Sequence, residues 1–180
     1  MQLTDKQKSV VRNVIPAAVL TVVGLCGVSL LLPLSILPTD EPGARIAWAL
    51  KWALLPVLTL MVSIMRVANH RFSTPADIDG SGLTEGTPEV RVLRAVLQNT
   101  LEQAVLAIAA YAIWAVVVPY SWLRVVPIAA VLFVCGRVLF ARGYAQGAQG
   151  RATGFGLTAY PTFGMLTVVA AALIVRSLVG

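Results

Sequence analysis

The sequence predicts an all-α integral membrane protein, and three properties of the chain support this prediction. Of its 180 residues, 58% are apolar and only 12% are charged, whereas about 25% are charged in a typical soluble domain. The mean hydropathy is +0.82. The apolar residues also form long runs, each close to the roughly 20 residues that a spanning helix needs. Lipid is therefore the expected solvent for most of the protein surface.

Five segments are expected to cross the membrane as helices: residues 10–32, 44–68, 90–118, 123–144 and 155–178. The first begins with basic residues, as a signal peptide does. Its apolar run is longer than a typical signal-peptide core, however, and no small-residue cleavage site precedes Pro33. We therefore expect a retained helix. The chain divides into residues 1–43, an N-terminal helix with its connector, and residues 44–180, a four-helix domain.

Positive charge and aromatic residues predict the orientation of these helices. Ten Lys and Arg residues lie near one set of helix ends and four near the other. The ten are Lys6, Lys8, Arg12, Arg66, Arg71, Arg91, Arg94, Arg137, Arg142 and Arg151. Because cytoplasmic ends carry the excess, the N-terminus is expected in the cytoplasm and the protein in the inner (cytoplasmic) membrane. At the opposite ends an interfacial aromatic belt is expected from Trp48, Trp52, Trp114, Tyr120 and Trp122.

Ionisable residues within the apolar segments indicate where a ligand would bind. Glu102 lies about 18 Å along its helix from residue 90, at about 1.5 Å per residue. Burying this charge is costly, so a cationic partner inside the bundle is expected, and Arg137 is the best candidate. Gln98 and Asn99 precede Glu102 by four and three residues, which places them on one broad helix face. The Glu102–Arg137 pair is expected to fix the helix register, alone or together with a binding role.

Residues 69–89 form the longest polar segment and are expected to be a loop, because Pro, Gly, Ser and Asp are frequent there. The loop is either a solvated connector or a cover over a site. Singly, each arginine of this cluster is expected to be a plain membrane anchor, but together they favour an anionic small ligand; they are Arg66, Arg71, Arg142 and Arg151. One His and two Cys are too few for a zinc or haem site. The basic residues lie at helix ends, which argues for contact with membrane lipids and against nucleic-acid binding.

Three segments, in order along the chain, resemble the MAPEG family, whose members are membrane-associated proteins in eicosanoid and glutathione metabolism. They are RVANHRFSTPAD at residues 66–77, RVLRAVLQNTLEQ at residues 91–103, and GRVLFARGY at residues 136–144 followed by Arg151. The resemblance covers about residues 45–178 and makes the first helix an N-terminal addition to a bacterial-type member. It implies a four-helix MAPEG-like bundle that assembles as a homotrimer. Glutathione would lie between neighbouring subunits near the cytoplasmic face.

The resemblance also implies roles for individual residues. Arg151 matches the family's catalytic Arg, which stabilises the glutathione thiolate. This role is physically reasonable, since a nearby cation lowers a thiol pKa and the thiolate is the nucleophile. Four further residues match family positions at or beside glutathione: Arg66, Asn99, Glu102 and Tyr144. Arg137 matches the Arg that pairs with the family's Glu. Two more binding residues are expected, Gln98 from the same face of the helix as Glu102 and Asp77 from the loop.

Three positions depart from the family's pattern. Asn99 follows Ala95 after three intervening residues instead of two, so the role of Arg94 does not transfer. Phe140 stands where the prostaglandin-synthase site has a His, and Phe155 stands where a Tyr follows the catalytic Arg. These losses argue against a faithful prostaglandin or leukotriene synthase. They leave room for glutathione binding and leave the reaction open.

Three functions follow from these observations. The first is a glutathione-dependent membrane transferase or peroxidase that acts on lipophilic electrophiles arriving through the bilayer. The second is a non-catalytic member of the same family that binds lipid or a partner protein, with the cations serving as anchors. The third, a small transporter, is disfavoured because the polar residues cluster in one half of the membrane instead of lining a whole pathway.

Overall fold

The computed structural model describes residues 4–80 and 82–179, in which five long helices are joined by short turns and no strand occurs. We number the helices α1 (Asp5–Leu31), α2 (Pro42–Ser73), α3 (Pro88–Val117), α4 (Val125–Gly143) and α5 (Gly147–Val179). Within α1, the residues Val23–Val28 form a wider π-helical segment. Short 3-10 turns lie at Leu34–Ile36, Pro75–Asp77, Tyr120–Arg124 and Tyr144–Gln146.

Four continuous helical stretches in the described part of the chain are long and apolar enough to cross a membrane. Three of them are α1, α2 and α3, and the fourth, Tyr120–Val179, contains both α4 and α5. These last two helices pack antiparallel against each other, so the fourth stretch corresponds to the last two predicted segments. The predicted all-α membrane fold, including its N-terminal helix, is confirmed.

The core lies among α2, α3, α4 and α5 and is built mainly from small and aromatic side chains. Helix α2 packs on α3, and α4 packs on α5. Alanines fill the inner face of α3, and the large buried side chains include Tyr111, Phe133 and Met165. Small residues let helices approach closely in lipid, where van der Waals packing replaces the hydrophobic effect as the driving force.

Glycines bring α4 and α5 together and form the turn between them. A Cβ at Gly136 would lie 2.8 Å from the carbonyl oxygen of Gly154, and a Cβ at Gly154 would lie 2.7 Å from that of Gly136. The turn uses Gly147, whose φ of 82° is unfavourable for other residues. Helix α5 already begins at Gly147, so the expected start of the last helix at residue 155 was wrong. The glycine-rich stretch that precedes residue 155 is helical and packs closely on α4.

Helix α1 is attached to the first turns of α5 by hydrogen bonds and close packing. Asn13 Nδ2 donates to the carbonyl of Gln149 (3.0 Å), and Thr153 Oγ1 donates to the carbonyl of Asn13 (2.6 Å). One turn further along, a Cβ at Gly156 would lie 2.7 Å from the Cβ of Ala17. The added helix thus has a defined position in the bundle.

At the other end of the bundle, arginines hold the C-terminal ends of helices. Arg45 Nε donates to the carbonyl of Ala115 (2.8 Å), and Arg124 Nη1 donates to the carbonyl of Leu32 (2.9 Å). Cations at these positions satisfy carbonyl groups that lack intrahelical partners, and they complement the negative end of the helix dipole. The aromatic belt expected from the sequence lies at this same end.

Candidate functional site

Arg137 is the centre of the polar cluster inside the bundle and is only 5% exposed. Its Nη1 donates to Asn99 Oδ1 on α3 (2.8 Å), and its Nη2 donates to Thr158 Oγ1 on α5 (2.6 Å). The guanidinium lies over the Phe140 ring, 4.4 Å from the centroid. Arg137 therefore ties three helices together. It also orients the Asn99 amide: because Oδ1 accepts the hydrogen bond, Nδ2 is left as a donor.

The predicted ion pair between Arg137 and Glu102 is wrong for the single chain. Glu102 is exposed on the outer face of α3, where it accepts a hydrogen bond from Gln98 Nε2 (2.9 Å). Asn99 occupies the inward position instead. Residues three apart differ by about 60° around a helix, and this rotation separates the face that meets α4 from the face that leaves the bundle.

Asn99 forms part of the wall of a pocket of about 350 Å³ near the turn between α4 and α5. Its other polar residues are Tyr144 and Arg151, and apolar residues of α4, α5 and α1 complete the walls. No Asp or Glu is among the described residues that line it. The pocket thus combines a cation and hydrogen-bond donors with an apolar surface, which fits an anionic ligand next to a lipophilic one.

Arg151 lies half-buried in the second turn of α5. Its guanidinium lies over the ring of Tyr144, 4.5 Å from the centroid. Tyr144 in turn packs edge-on against Phe140, with the ring centroids 5.4 Å apart. Stacking of this kind fixes the plane of a guanidinium and leaves its N–H groups available to a ligand. The predicted catalytic Arg and two predicted binding residues, Tyr144 and Asn99, therefore share one pocket.

Other predicted binding residues lie outside this pocket in the single chain. Arg66 is exposed near the end of α2, and Gln98 and Glu102 are exposed on α3. Gln98 lines a separate groove of about 440 Å³ together with Arg91 and Arg94. The single chain therefore assembles only the inward-facing part of the predicted set.

Asp77, the remaining predicted binding residue, joins the end of α2 to the start of α3 and also lies outside the pocket. It is 1% exposed, and its carboxylate accepts hydrogen bonds from Thr87 Oγ1 (2.6 Å) and Thr87 N (2.8 Å). His70 Nε2 lies 2.9 Å from Oδ2. These contacts, above all the bond from the Thr87 hydroxyl, lower the pKa of Asp77 against the opposing effect of burial. The loop is shorter than expected, since α2 continues to Ser73.

Three contributors to the site were missed by the sequence analysis. Val10 and Val14 of α1 line the pocket, and nothing in the local sequence indicates which helix α1 packs against. Thr158 binds the Arg137 guanidinium. Thr158 follows Arg151 by seven residues, about two helical turns, and so lies on the same face of α5. That spacing was a usable signal.

These features define a class of protein: a multi-pass helical membrane protein with a polar site built on its inner helices. The family model for MAPEG matches residues 46–171. The chain therefore belongs to the MAPEG family, a family of glutathione-related membrane proteins. The match begins in α2 and does not include α1. No curated protein was found to match the chain.

Proposed function

We propose that this protein is a glutathione-dependent membrane enzyme, a transferase or peroxidase acting on lipophilic electrophiles that reach the pocket through the bilayer. One observation carries the proposal: Asn99, Tyr144 and Arg151 converge on a pocket whose remaining walls are apolar. Glutathione is anionic and fits a pocket that offers a guanidinium and an amide donor. The apolar walls suit the electrophile. Membership of a glutathione-related family supports the choice of thiol.

Each residue of the pocket then has a chemical role. When bound, glutathione supplies the nucleophilic thiolate that attacks the electrophile. Arg151 stabilises the thiolate, since its positive charge lowers the pKa of a nearby thiol. Tyr144 fixes the plane of the Arg151 guanidinium by stacking. Asn99 donates from Nδ2 to an acceptor of the tripeptide, and Arg137 holds the amide in that orientation through Oδ1.

The proposal includes assembly with the site between subunits: the exposed polar residues of α2 and α3 support coverage by a neighbouring copy, and the family resemblance makes that assembly a homotrimer. Arg66, Gln98 and Glu102 are exposed within spanning helices, where polar and ionisable side chains facing lipid are costly. A neighbouring copy that covers this face removes the cost. Arg66, Gln98 and Glu102 would then meet the glutathione that the pocket of the adjacent subunit holds.

The same proposal includes an orientation, with the N-terminus and the pocket facing the cytoplasm in the inner membrane. Ten of the fourteen Lys and Arg residues belong to the helix ends on the pocket side. Positive charge of this kind is retained on the cytoplasmic side during insertion. Cysteine-labelling reagents that cannot cross the membrane would test it, since a cysteine placed in the loop between α2 and α3 should be protected in intact cells.

Glutathione binding to the purified protein in detergent, measured by calorimetry, tests the proposed function. We expect saturable binding that Arg151→Ala and Arg66→Ala weaken by roughly 10- to 150-fold, because a hydrogen bond to a charged group contributes about 1.5–3 kcal/mol. Arg151→Ala should also lose turnover of the electrophile while the trimer persists. Arg142→Ala is the matched control, since it removes an exposed cation in the last turn of α4, at the same end of the bundle but outside the pocket.

Two results would contradict the enzyme proposal. One is the absence of binding at millimolar glutathione. The other is an equal loss of binding in Arg142→Ala and Arg151→Ala, because general charge at this end of the bundle would then explain the affinity.

A non-catalytic role in binding lipid or a partner protein is the second candidate. Phe140 and Phe155 favour it, because both line the pocket and both replace polar residues of the enzymes that the sequence resembles. In that case the purified protein would retain a lipophilic ligand and bind no glutathione, and Arg151→Ala would leave ligand retention unchanged.

A further inference from the structure

A second cavity, of about 700 Å³, lies between α1, α4 and α5 toward the end of the bundle opposite to the candidate site. Its interior is almost entirely apolar and includes Val22 and Leu25 of α1 and Met165 of α5. Trp114 and Trp122 line it from the end of α3 and the turn that follows. Because α1 forms one whole side, the cavity depends on the helix that lies outside the family match. It is therefore separate from the candidate site.

Close contacts hold α1 beside this cavity. A Cβ at Gly24 would lie 3.1 Å from Ile128 Cγ2 and 3.3 Å from Leu132 Cδ1, so α1 packs tightly on α4. The π-helical segment Val23–Val28 runs along the same contact, and segments of this kind are frequent at functional sites. The cavity is thus bounded by packed helices on several sides and is a built feature of the fold.

A cation lies at the mouth of the cavity, where the helices end. Arg124 Nη1 donates to the carbonyl oxygens of Leu32 (2.9 Å) and Leu30 (3.4 Å), and its Nε donates to that of Ser121 (3.0 Å). Because carbonyl groups carry no net charge, these hydrogen bonds do not neutralise Arg124, and none of the ion pairs formed by the described residues includes it. No Asp or Glu is among the described residues that line the cavity. Trp122, beside Arg124, is 47% exposed, as a tryptophan at the level of the lipid headgroups would be.

We propose that this cavity binds one acyl chain of an anionic phospholipid, whose phosphate contacts Arg124. Phosphate is the anion that a membrane interface supplies, and it can accept hydrogen bonds from Arg124 Nη2, which makes none of the bonds to these carbonyl oxygens. The interior offers hydrocarbon contacts along α1, which a flexible acyl chain can follow. Bound in this way, the lipid fastens α1 to α4 and α5. The proposal does not depend on the proposed function at the other end of the bundle.

Quenching of tryptophan fluorescence by brominated acyl chains tests the proposal in detergent solution. In a Trp48→Phe/Trp52→Phe background, the remaining Trp114 and Trp122 both report on the cavity. Brominated phosphatidylglycerol should quench at about fivefold lower lipid fraction than brominated phosphatidylcholine, the factor that one cation near the headgroup contributes. Arg124→Gln should remove the difference between the two lipids.

Because Arg124 also holds the end of α1, a second variant tests the cavity without changing that contact. Gly164 lines the cavity and a Cβ there meets nothing within 4 Å, so Gly164→Leu should place its side chain in the cavity with no clash at Cβ. If the Leu side chain takes the place of one buried CH₂ group of the acyl chain, both lipids should need about a fourfold higher lipid fraction to give the same quenching. Gly43→Leu is the matched control, since Gly43 is exposed at the start of α2 outside the cavity and a Cβ there also meets nothing within 4 Å. It should quench like the parent protein.

Three outcomes would overturn the proposal. The first is equal quenching in Gly164→Leu and Gly43→Leu, and the second is equal quenching of the parent by the two lipids. The third is no quenching by either lipid, which would mean that protein, such as a second copy of the chain, covers the cavity.

Discussion

Removing an acceptor from the Arg137 guanidinium should destabilise the protein more than removing an ordinary buried hydroxyl. Arg137 is 5% exposed and is held by Asn99 (2.8 Å) and Thr158 (2.6 Å) on two other helices. Hydrogen bonds to charged groups contribute about 1.5–3 kcal/mol, whereas interhelical ones measured in a membrane protein reach at most about 1.7 kcal/mol. We therefore expect Thr158→Val to lower the free energy of unfolding by about 1.5 kcal/mol, a roughly tenfold shift in the unfolding equilibrium.

Thr162→Val is the matched control for this change. Thr162 is buried one turn further along α5, and its hydroxyl donates to the carbonyl of Thr158 (3.1 Å). Its loss should cost at most about 0.6 kcal/mol, the average for interhelical hydrogen bonds in a membrane protein, because this bond stays within one helix. The double variant Asn99→Leu/Thr158→Val should cost about 3–5 kcal/mol, more than the two single changes together, because the guanidinium is then buried with neither acceptor.

Unfolding in mixed micelles of increasing SDS content, followed by circular dichroism, would measure these differences. Equal midpoints for Thr158→Val and Thr162→Val would refute the reasoning, because the contact with Arg137 would then contribute no more than a neutral hydrogen bond. An additive double variant would show that the two acceptors do not share one guanidinium.

Three further changes test other parts of the structure. Val14→Trp should fill the candidate pocket from α1 and weaken glutathione binding about tenfold by calorimetry, whereas Ile15→Trp, at a position 54% exposed, should not. Gly154→Val should lower the free energy of unfolding by about 3 kcal/mol, since its Cβ meets the α4 backbone. Gly164→Val should lower it less, because a Cβ there has open space, and equal SDS midpoints for the two variants would contradict this. Because hydrogen bonds, the Thr87 hydroxyl first, lower the pKa of Asp77, its stabilising contribution is fully present above pH 3.8 and is lost as the pH falls through the lower folded value. Limited proteolysis should therefore cleave the loop between α2 and α3 at neutral pH in Asp77→Asn but only in acid in the parent protein.

The helices could be predicted closely because their signals are local. Helix α3 runs over Pro88–Val117, within two residues of the expected 90–118, since Thr87 caps its N-terminus and an apolar run follows. The start of α5 could not be predicted in the same way. Glycine is frequent in loops and also in close helix contacts, and only the approach of Gly154 to Gly136 shows which applies.

The candidate site was predicted in part. Asn99, Tyr144 and Arg151 do meet in one pocket. The predicted partner of Arg137 was wrong because Glu102 and Asn99 differ by about 60° around α3, an angle too small for sequence periodicity to resolve and large enough to change which side chain faces α4.

The sequence by itself determined that this chain is a bundle of apolar helices with most of its cations at one set of ends and a MAPEG-type polar cluster on its inner helices. Only the tertiary structure decided that α1 docks on α5, so that Val10 and Val14 become walls of the pocket. It also decided that Arg137 binds Asn99 and Thr158. The reason is physical: periodicity fixes the direction of a side chain within one helix, but the helix that lies opposite depends on the packing of the whole bundle.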